Sequence, residues 1–386
     1  MSSLERYDRQ LRIEGWEQDL LYSTTAFIAG AGAIGCEVAK NLAMMGIGRL
    51  ILVDYDYVEL SNLSRQLLFR DADIGRGKAE VAAERLREIN PQVKVDHHNS
   101  DIRDLEEDVY RDVDIVLSCL DNWGSRRWLN SVAVSLNKPL IDGGINGFYG
   151  NVQVVIPKRT ACLECQSMQL IPREEKLAEC TLKRRRPEDL VNDLREQGID
   201  LSVELAEELF RLNIKTVYDL KYARLDLVLS HKEGEIFRAI EELRSKLMPK
   251  IPAIQSVASV VAGIITTHAI QLIHKDRLGK SPTGLIVYDA LNSRLTRVKI
   301  SRDPACIVCS ENEAAPINFP FDLRQTVLRL KEAVASVFGF PDPEILHADR
   351  RLNDDDVLYD AGVRENDILY VSTKRLYEPV AIRIVT

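Results

Sequence analysis

Two cysteine pairs, Cys162-x-x-Cys165 and Cys306-x-x-Cys309, offer four thiolates. Such a set suits tetrahedral Zn²⁺, whose ligands must be close in space and not in sequence. Four sulfurs leave no open position, so the expected role is structural. Gly30, Gly32 and Gly35 spell G-x-G-x-x-G. Glycines so spaced permit a tight turn and let backbone N–H groups approach phosphate at a helix N-terminus. Asp54 follows at the distance, about twenty residues, where a carboxylate takes ribose hydroxyls. Beyond it stand Asp56, Asn62, Arg65 and Gln66, then Lys78, and later Asp121 and Asn122. Hydride transfer has no need of an arginine, a lysine and extra carboxylates around the phosphates. Nucleotidyl transfer does: cations neutralise phosphoryl charge and an Asp holds Mg²⁺. Ala72 occupies the position of the first glycine of a G-x-x-x-x-G-K-[ST] run ending at Lys78, so a P-loop is excluded. Cys36 and Cys119 lie in apolar patterns and read as buried and inert. Cys180 stands apart: the basic run Lys183 to Arg186 follows it and would favour a thiolate nucleophile.

These residues need a scaffold. The apolar run TTAFIAG leads into the glycine turn, CEVAKNLAMMGI follows with helical spacing, and GRLILVDYD is a second apolar run. DVDIVLSCLDN (112–122) and NKPLIDGGI (137–145) read as further buried strands ending in polar residues, with helical patterns such as KAEVAAERLREIN (78–90) between. This alternation predicts an α/β fold with a Rossmann-like, parallel, doubly wound sheet. Such sheets bind ligands beyond the carboxyl ends of the strands, where the polar residues collect. From 171 to 250 the pattern becomes helical and densely charged, in RPEDLVNDLREQG, SVELAEELFRLN, VYDLKYARLDLVL and EGEIFRAIEELRSKL. This reads as a helical insertion. The α/β pattern resumes through TGLIVYDALNSRLTRVKIS (283–301), and ENEAAP (311–316) reads as a linker. In the remainder, NFPFDLRQTVLRLKEAVASVFG predicts a strand and a helix, and ENDILYVSTKR (365–375) a last strand. The expected domains are 1–170, an insertion at 171–250, a completion at 251–312, and a separate segment at 317–386.

Composition narrows the function. The 386 residues are 45% hydrophobic and 28% charged, the balance of a globular chain and not of a disordered one. A net charge of −8 provides no overall basic field, so nucleic acid is not an expected partner. The N-terminus, MSSLERYDRQLRIEG, has no apolar signal region, and a cytoplasmic location is expected. Residues 251–273 lack charge but carry Gln255, Ser256, Ser259, Thr266, Thr267, His268 and Gln271. That polar load predicts a buried core helix, with His268 a core histidine, and no membrane span. Seven cysteines, an odd number, argue for metal or thiol chemistry over a disulfide framework.

In combination these strings resemble the ubiquitin-activating enzyme superfamily, which includes the MoeB- and ThiF-like adenylyltransferases. The resemblance rests on RYDRQLRI (6–13), GAGAIG (30–35), LVDYDYVELSNLSRQLLF (52–69), GRGKA (75–79), CLDN (119–122) and the two C-x-x-C pairs, and covers about 1–165 and 250–310. It implies that the carboxyl terminus of a ubiquitin-like protein, ending Gly-Gly, attacks the α-phosphate of ATP to give an acyl-adenylate. Carried over by position, Asp54 binds ribose. Asn62, Arg65, Gln66 and Lys78 meet the phosphates, and Asp121, with Asp56, holds Mg²⁺. Arg9 resembles an arginine that reaches the phosphates of a partner subunit. Both halves of that arrangement lie on one chain, so a homodimer is expected.

Two features go beyond MoeB and ThiF. Cys180-Thr181 with Pro187 resembles the catalytic cysteine motif of the eukaryotic-type enzymes, which makes Cys180 the thioester nucleophile and 171–250 a reduced catalytic-cysteine domain. The Pro lies one residue later than in the family's pattern. Residues 317–375 resemble a β-grasp, ubiquitin-fold domain, which in the family captures a ubiquitin-conjugating enzyme. The sequence ends IRIVT without Gly-Gly, so this segment is not itself expected to be a conjugated modifier. The single-chain packaging points to a prokaryotic, archaeal system. The competing readings are a MoeB- or ThiF-like adenylyltransferase for sulfur transfer, an NAD-dependent oxidoreductase, and a non-enzymatic scaffold.

Overall fold

Thr25–Ala29 (β1) and Arg49–Val53 (β2) are apolar runs whose last four residues are all buried, the pattern of strands covered on both faces. They pair in parallel as the third and second strands from one edge of an eight-stranded sheet. In this computed structural model the described residues are 5–166, 186–196, 198–212, 214, 217, 220, 235–247, 251–275, 277–280, 283–304, 306–310, 316–340, 342–348, 350–374 and 376–385. The chain forms two units. Unit 1 draws on 1–170, 252–313 and 375–378; unit 2 draws on 171–251, 314–374 and 379–386.

Unit 1 opens with the short helices Asp8–Leu11 (α1) and Gln18–Tyr22 (α2). Ala33–Met45 (α3) joins β1 to β2, and Lys78–Ile89 (α4) leads to Lys94–His98 (β3). Glu107–Arg111 (α5) precedes Ile115–Ser118 (β4), and Trp123–Ser135 (α6) joins β4 to Leu140–Asn146 (β5). Tyr149–Val155 (β6), Gly284–Asp289 (β7) and Arg294–Val298 (β8) complete the sheet in the order β3-β2-β1-β4-β5-β6-β7-β8. The first five strands are parallel. The last three add antiparallel. The expected parallel, doubly wound sheet is present in the first five strands, and the antiparallel extension adds to it. β5 and β6 are linked through Gly147, and a link this short returns the chain antiparallel; only a long crossover can make a parallel neighbour.

Gln255–Ile273 is a helix that packs on α3, β5 and β6. By length and composition it could cross a membrane. Instead Val257, Ala258, Val261, Ala262, Ile265, Ala269 and Ile270 belong to the main hydrophobic core, with Leu42, Leu50 and Ile141. His268 is 8% exposed, with Nδ1 2.8 Å from Gln271 Oε1; burial holds its pKa below the ordinary value.

Within unit 2, Pro187–Glu196 (α7), Val203–Arg211 (α8) and Glu235–Leu247 (α9) are helices; the membrane-length helix above follows as α10. Leu190, Leu194, Leu209, Ile240 and Leu243 share one core, each helix burying a stripe at helical spacing. Ser202 Oγ caps α8 by accepting from Leu205 N at 3.2 Å. The pattern VYDLKYARLDLVL falls almost entirely outside the described residues, as does most of the linker 311–316.

A second, five-stranded sheet is formed by Ile317–Pro320 (β9), Glu344–His347 (β10), Arg350–Arg351 (β11), Ile368–Ser372 (β12) and Val380–Val385 (β13). The helix Val327–Phe338 (α11), capped by Thr326, buries Val327, Leu330 and Val334. The order is β11-β10-β12-β13-β9, with β13 parallel to β9 and antiparallel to β12. β12 is thus not the last strand, as the sequence reading has it. Val380, Ile382 and Ile384 alternate with more exposed residues, a period-2 signal that places a further strand mid-sheet.

Candidate nucleotide site and four-cysteine centre

The candidate site lies at the carboxyl ends of β1, β2 and β4. Gly30 follows β1 with φ +91°, a backbone region that L side chains rarely adopt, and its N–H donates to Val53 O at 2.8 Å. A Cβ at Gly30 would stand 2.7 Å from Cys119 O, and one at Gly35 would stand 1.9 Å from Gly30 O. Both glycines are required by close backbone packing. Gly32, the N-cap of α3, differs: nothing lies within 4 Å of the Cβ position there. The first turn of α3 is thereby open, as an anion at a helix N-terminus requires.

Asp54 continues from β2. Its Oδ2 accepts Ala31 N–H at 2.7 Å and its Oδ1 accepts Asp56 N–H at 2.8 Å, so it ties the glycine turn to the β2 loop. Burial pushes its carboxyl up to about 6; Lys78 opposes the rise and Asp56 adds to it. Lys78 begins α4 and is 7% exposed. Its Nζ donates to Asp56 Oδ2 at 2.7 Å. Burial works against the ammonium, but Asp54, Asp56 and Asp121 outweigh it and hold its pKa above the ordinary value.

Asn62 closes the turn Leu60–Asn62, its Oδ1 accepting Glu59 N–H at 2.9 Å, and it is 4% exposed. Arg65 donates from Nη1 to Ser61 O at 2.8 Å. Gln66 is buried, and its Oε1 has no hydrogen-bond partner, a buried acceptor left unsatisfied. Asn122 Oδ1 accepts Ser125 N–H at 2.8 Å and caps α6, so its side chain has a structural task. Asp121 is exposed, and its carboxylate has no partner among the described residues.

The chain thus brings Asp54, Asp56, Lys78 and Asp121 into one electrostatic group. Arg9, in α1, is exposed and makes no side-chain hydrogen bond or ion pair to this group or to any other described residue. Sequence reasoning passed over Tyr55. Burial, then the charges of Asp56, Asp121, Asp54 and Asp101, raise its phenol pKa well above the ordinary value, although the residue as a whole is 52% exposed. Its position between two site aspartates is the signal available in the sequence. Cys36 is fully buried, with Sγ 3.2 Å from Ala31 O, and burial pushes its thiol up to about 12. Burial also raises Cys119, which leaves both thiols unreactive at neutral pH. Cys180 lies outside the described residues.

Cys162, Cys165, Cys306 and Cys309 converge, their sulfurs all within 4.8 Å of one another. The sulfur separations include 3.7 Å for Cys162–Cys306, 3.3 Å for Cys165–Cys309 and 4.0 Å for Cys162–Cys165. Ideal tetrahedral Zn–S bonds of about 2.3 Å require sulfurs roughly 3.8 Å apart, so the four residues fit Zn²⁺. The turn Leu163–Gln166 is held from α6. Leu163 N–H donates to Asn130 Oδ1 at 3.0 Å, and Arg127 Nε donates to Glu164 Oε2 at 2.7 Å in a buried ion pair.

Residues 7–308 match the ThiF family. The chain is similar to the Caenorhabditis elegans NEDD8-activating enzyme E1 catalytic subunit, 29% identical over 360 residues covering 86% of this chain and 80% of that protein. It is 41% identical over 168 residues to the Drosophila melanogaster Nedd8-activating enzyme E1 catalytic subunit, covering 40% of this chain and 37% of that protein, little more than a third of its length. Escherichia coli MccB has a similar fold, with TM-score 0.54 and 24% identity over 81% of this chain and 74% of that one. The family match includes the glycine turn, the Asp54–Lys78 group, the Asp121 loop and all but the last cysteine of the four-cysteine centre. The chain belongs to the ThiF family, within the ubiquitin-activating enzyme superfamily.

Proposed function

We propose that this protein activates a ubiquitin-like protein with ATP. The observation that carries the reading is the Lys78 ammonium set among Asp54, Asp56 and Asp121 at the strand ends, beside the open N-terminus of α3. A phosphate-directed cation with spare carboxylates serves nucleotidyl transfer and has no task in hydride transfer. The similarity to NEDD8-activating subunits supports the same choice.

In the first step a Gly-Gly carboxylate oxygen of the ubiquitin-like protein attacks the α-phosphorus of ATP. The new O–P bond forms as the bond to the bridging oxygen breaks, and pyrophosphate leaves. Asp54 holds ribose; Asn62, Arg65, Gln66 and Lys78 meet the phosphates. Mg²⁺ on Asp121 would supply charge neutralisation. Asp56, which already holds Lys78, serves that cation first. Arg9 reaches the phosphates of a second copy in a homodimer; its exposed guanidinium, without a partner among the described residues, supports this.

In the second step the Cys180 thiolate attacks the acyl carbon, a thioester forms and AMP leaves. In the third the acyl group passes to a cysteine of a ubiquitin-conjugating enzyme held by residues 317–386. Support for a ubiquitin-fold domain there is a mixed five-stranded sheet with one helix, α11. Zn²⁺ on the four cysteines is structural, and the setting is the cytoplasm.

The test is a thioester assay with ATP, Mg²⁺ and a ubiquitin-like protein ending in Gly-Gly, with Cys180→Ala alongside. A thiol-labile adduct lost in the variant supports the whole sequence. Pyrophosphate release without an adduct transfers the reading to adenylation for sulfur transfer. No ATP-dependent pyrophosphate release with any such substrate defeats both.

A further inference from the structure

Arg126 lies one turn into α6, 8% exposed, and is used in three directions. Its Nε donates to Leu120 O at 2.7 Å. Its Nη2 donates to Gly143 O at 3.0 Å, in the middle of β5. Its Nη1 stands 3.5 Å from Asp142 Oδ2, and Asp142, 1% exposed, also accepts Ser118 Oγ–H at 2.7 Å. The guanidinium carbon lies 5.6 Å from the centre of the Trp123 ring. Only a residue without a side chain leaves room at 144: a Cβ there would come within 2.5 Å of Nη2.

The Leu120 carbonyl belongs to the same rigid peptide plane as the Asp121 N–H. Fixing that oxygen fixes the plane from which Asp121 springs. The neighbours are also tied, Cys119 N–H to Ala29 O at 2.8 Å and Asn122 Oδ1 to Ser125 N–H at 2.8 Å. Asp121 alone in this loop keeps an exposed carboxylate with no partner among the described residues. A group aimed outward from a backbone clamped on both sides is preorganised for a ligand.

We propose that Arg126 is a positioning residue: its guanidinium, clasping Leu120 O and Gly143 O, orients Asp121 toward a divalent cation bound with the nucleotide. The proposal rests on the nucleotide-site reading above. Lysine keeps the charge opposite Asp142 but has no planar fork to hold two carbonyls at once.

The experiment is ATP–pyrophosphate exchange across a Mg²⁺ series with the full chain, beside calorimetric ATP binding in EDTA and thermal melting. Arg126→Lys is expected to raise the Mg²⁺ needed for half-maximal exchange by about tenfold, as loss of an outer-shell partner does at metal sites. ATP affinity in EDTA is expected to stay within about twofold of wild type, because no phosphate contact is touched. Gly144→Ala, which crowds Nη2 and removes no charge, is expected to move the Mg²⁺ dependence in the same direction, and it decides the matter if Arg126→Lys does not fold. Asp142→Asn, which leaves both carbonyl contacts in place, is expected to leave that dependence unchanged. A folded Arg126→Lys or Gly144→Ala protein with wild-type Mg²⁺ dependence overturns the proposal. So does an equal shift in Asp142→Asn, since a bulk charge effect would then suffice. A wild-type chain that binds no ATP overturns the parent reading and this one together; a wild-type chain that exchanges normally, with unmoved variants, overturns this one alone.

Discussion

The Lys78 ammonium sits 2.7 Å from the Asp56 carboxylate, and the backbones of the same two residues are joined by a Lys78 N–H bond to Asp56 O at 2.9 Å. The strip continues with Val58 N–H to Arg76 O and Gly75 N–H to Val58 O, both 2.9 Å. The loop after β2 is thereby zipped to the start of α4. A buried lysine is normally neutralised by desolvation; here three carboxylates keep it charged at the place where the site needs a cation.

Asp54 should make nucleotide binding acid-sensitive. Its carboxyl is raised from 3.8 to about 6, so between those values the folded chain holds a proton that the unfolded chain has lost. This group's contribution to apo stability therefore falls as pH rises through that window, while the ribose-binding carboxylate appears. ATP affinity is expected to drop as pH is lowered through about 6 and to lose that dependence in Asp54→Asn. In Lys78→Met the midpoint should move to higher pH, because Lys78 is the charge that opposes the rise. Calorimetric titration from pH 5 to pH 8 checks both.

The three glycines of the turn should fail in different ways. Gly35→Ala places a methyl 1.9 Å from a backbone oxygen that cannot move aside. A loss of roughly 3 kcal/mol or more in denaturant unfolding is expected. Gly32→Ala meets nothing within 4 Å and should unfold within about 0.5 kcal/mol of wild type. Its methyl intrudes where phosphate would approach α3, and ATP affinity should fall about tenfold, or ~1.4 kcal/mol. Unchanged ATP binding in Gly32→Ala would show that phosphate does not use this helix end.

Metal analysis should find one Zn²⁺ per chain. Cys162→Ser removes one of four convergent ligands, and Zn²⁺ content should fall well below one. The melting temperature should drop on the order of 10 °C, since each kcal/mol is worth about 2–4 °C in a domain of this size. Full folding stability in a metal-free preparation would contradict a structural role.

Breaking the Arg127–Glu164 pair should cost more than removing it. Its side chains are 3% and 6% exposed, so Glu164→Leu strands a buried guanidinium and is expected to lose about 3–5 kcal/mol. Arg127→Met with Glu164→Leu should recover most of that loss. Chemical denaturation of the four chains of this double-mutant cycle measures it. A double variant no better than the single would assign the loss to packing.

Much of the site was legible because its chemistry is local. G-x-G-x-x-G works through neighbours in the chain, so the spacing of Gly30, Gly32 and Gly35 already implied a strand, a turn and a helix. Asp54 and Lys78 were legible as residue types at strand and helix ends. The cysteine pairs were legible because each C-x-x-C is one turn of chain. What sequence alone did not reach was pairwise geometry: that Asp56 holds Lys78 and that Asn122 is spent on capping α6. The three antiparallel strands of the large sheet and the insertion of β13 between β12 and β9 were missed for one reason. Strand patterns report which faces are buried and not which way a strand runs or what it pairs with: β6 buries its last four residues as the parallel β1 and β2 do, and the alternation along β13 names no neighbour.

Residue types and their spacing determined the α/β class, the family and the set of groups that could meet a nucleotide, because those depend on periodicity and on short-range covalent geometry. The tertiary structure decided which of those groups are charged, which are already bonded and which remain free to act. Asp54, Lys78 and Asp121 reach each other only through folding, and desolvation with Coulomb interaction between residues far apart in sequence sets the protonation of Asp54 and Lys78.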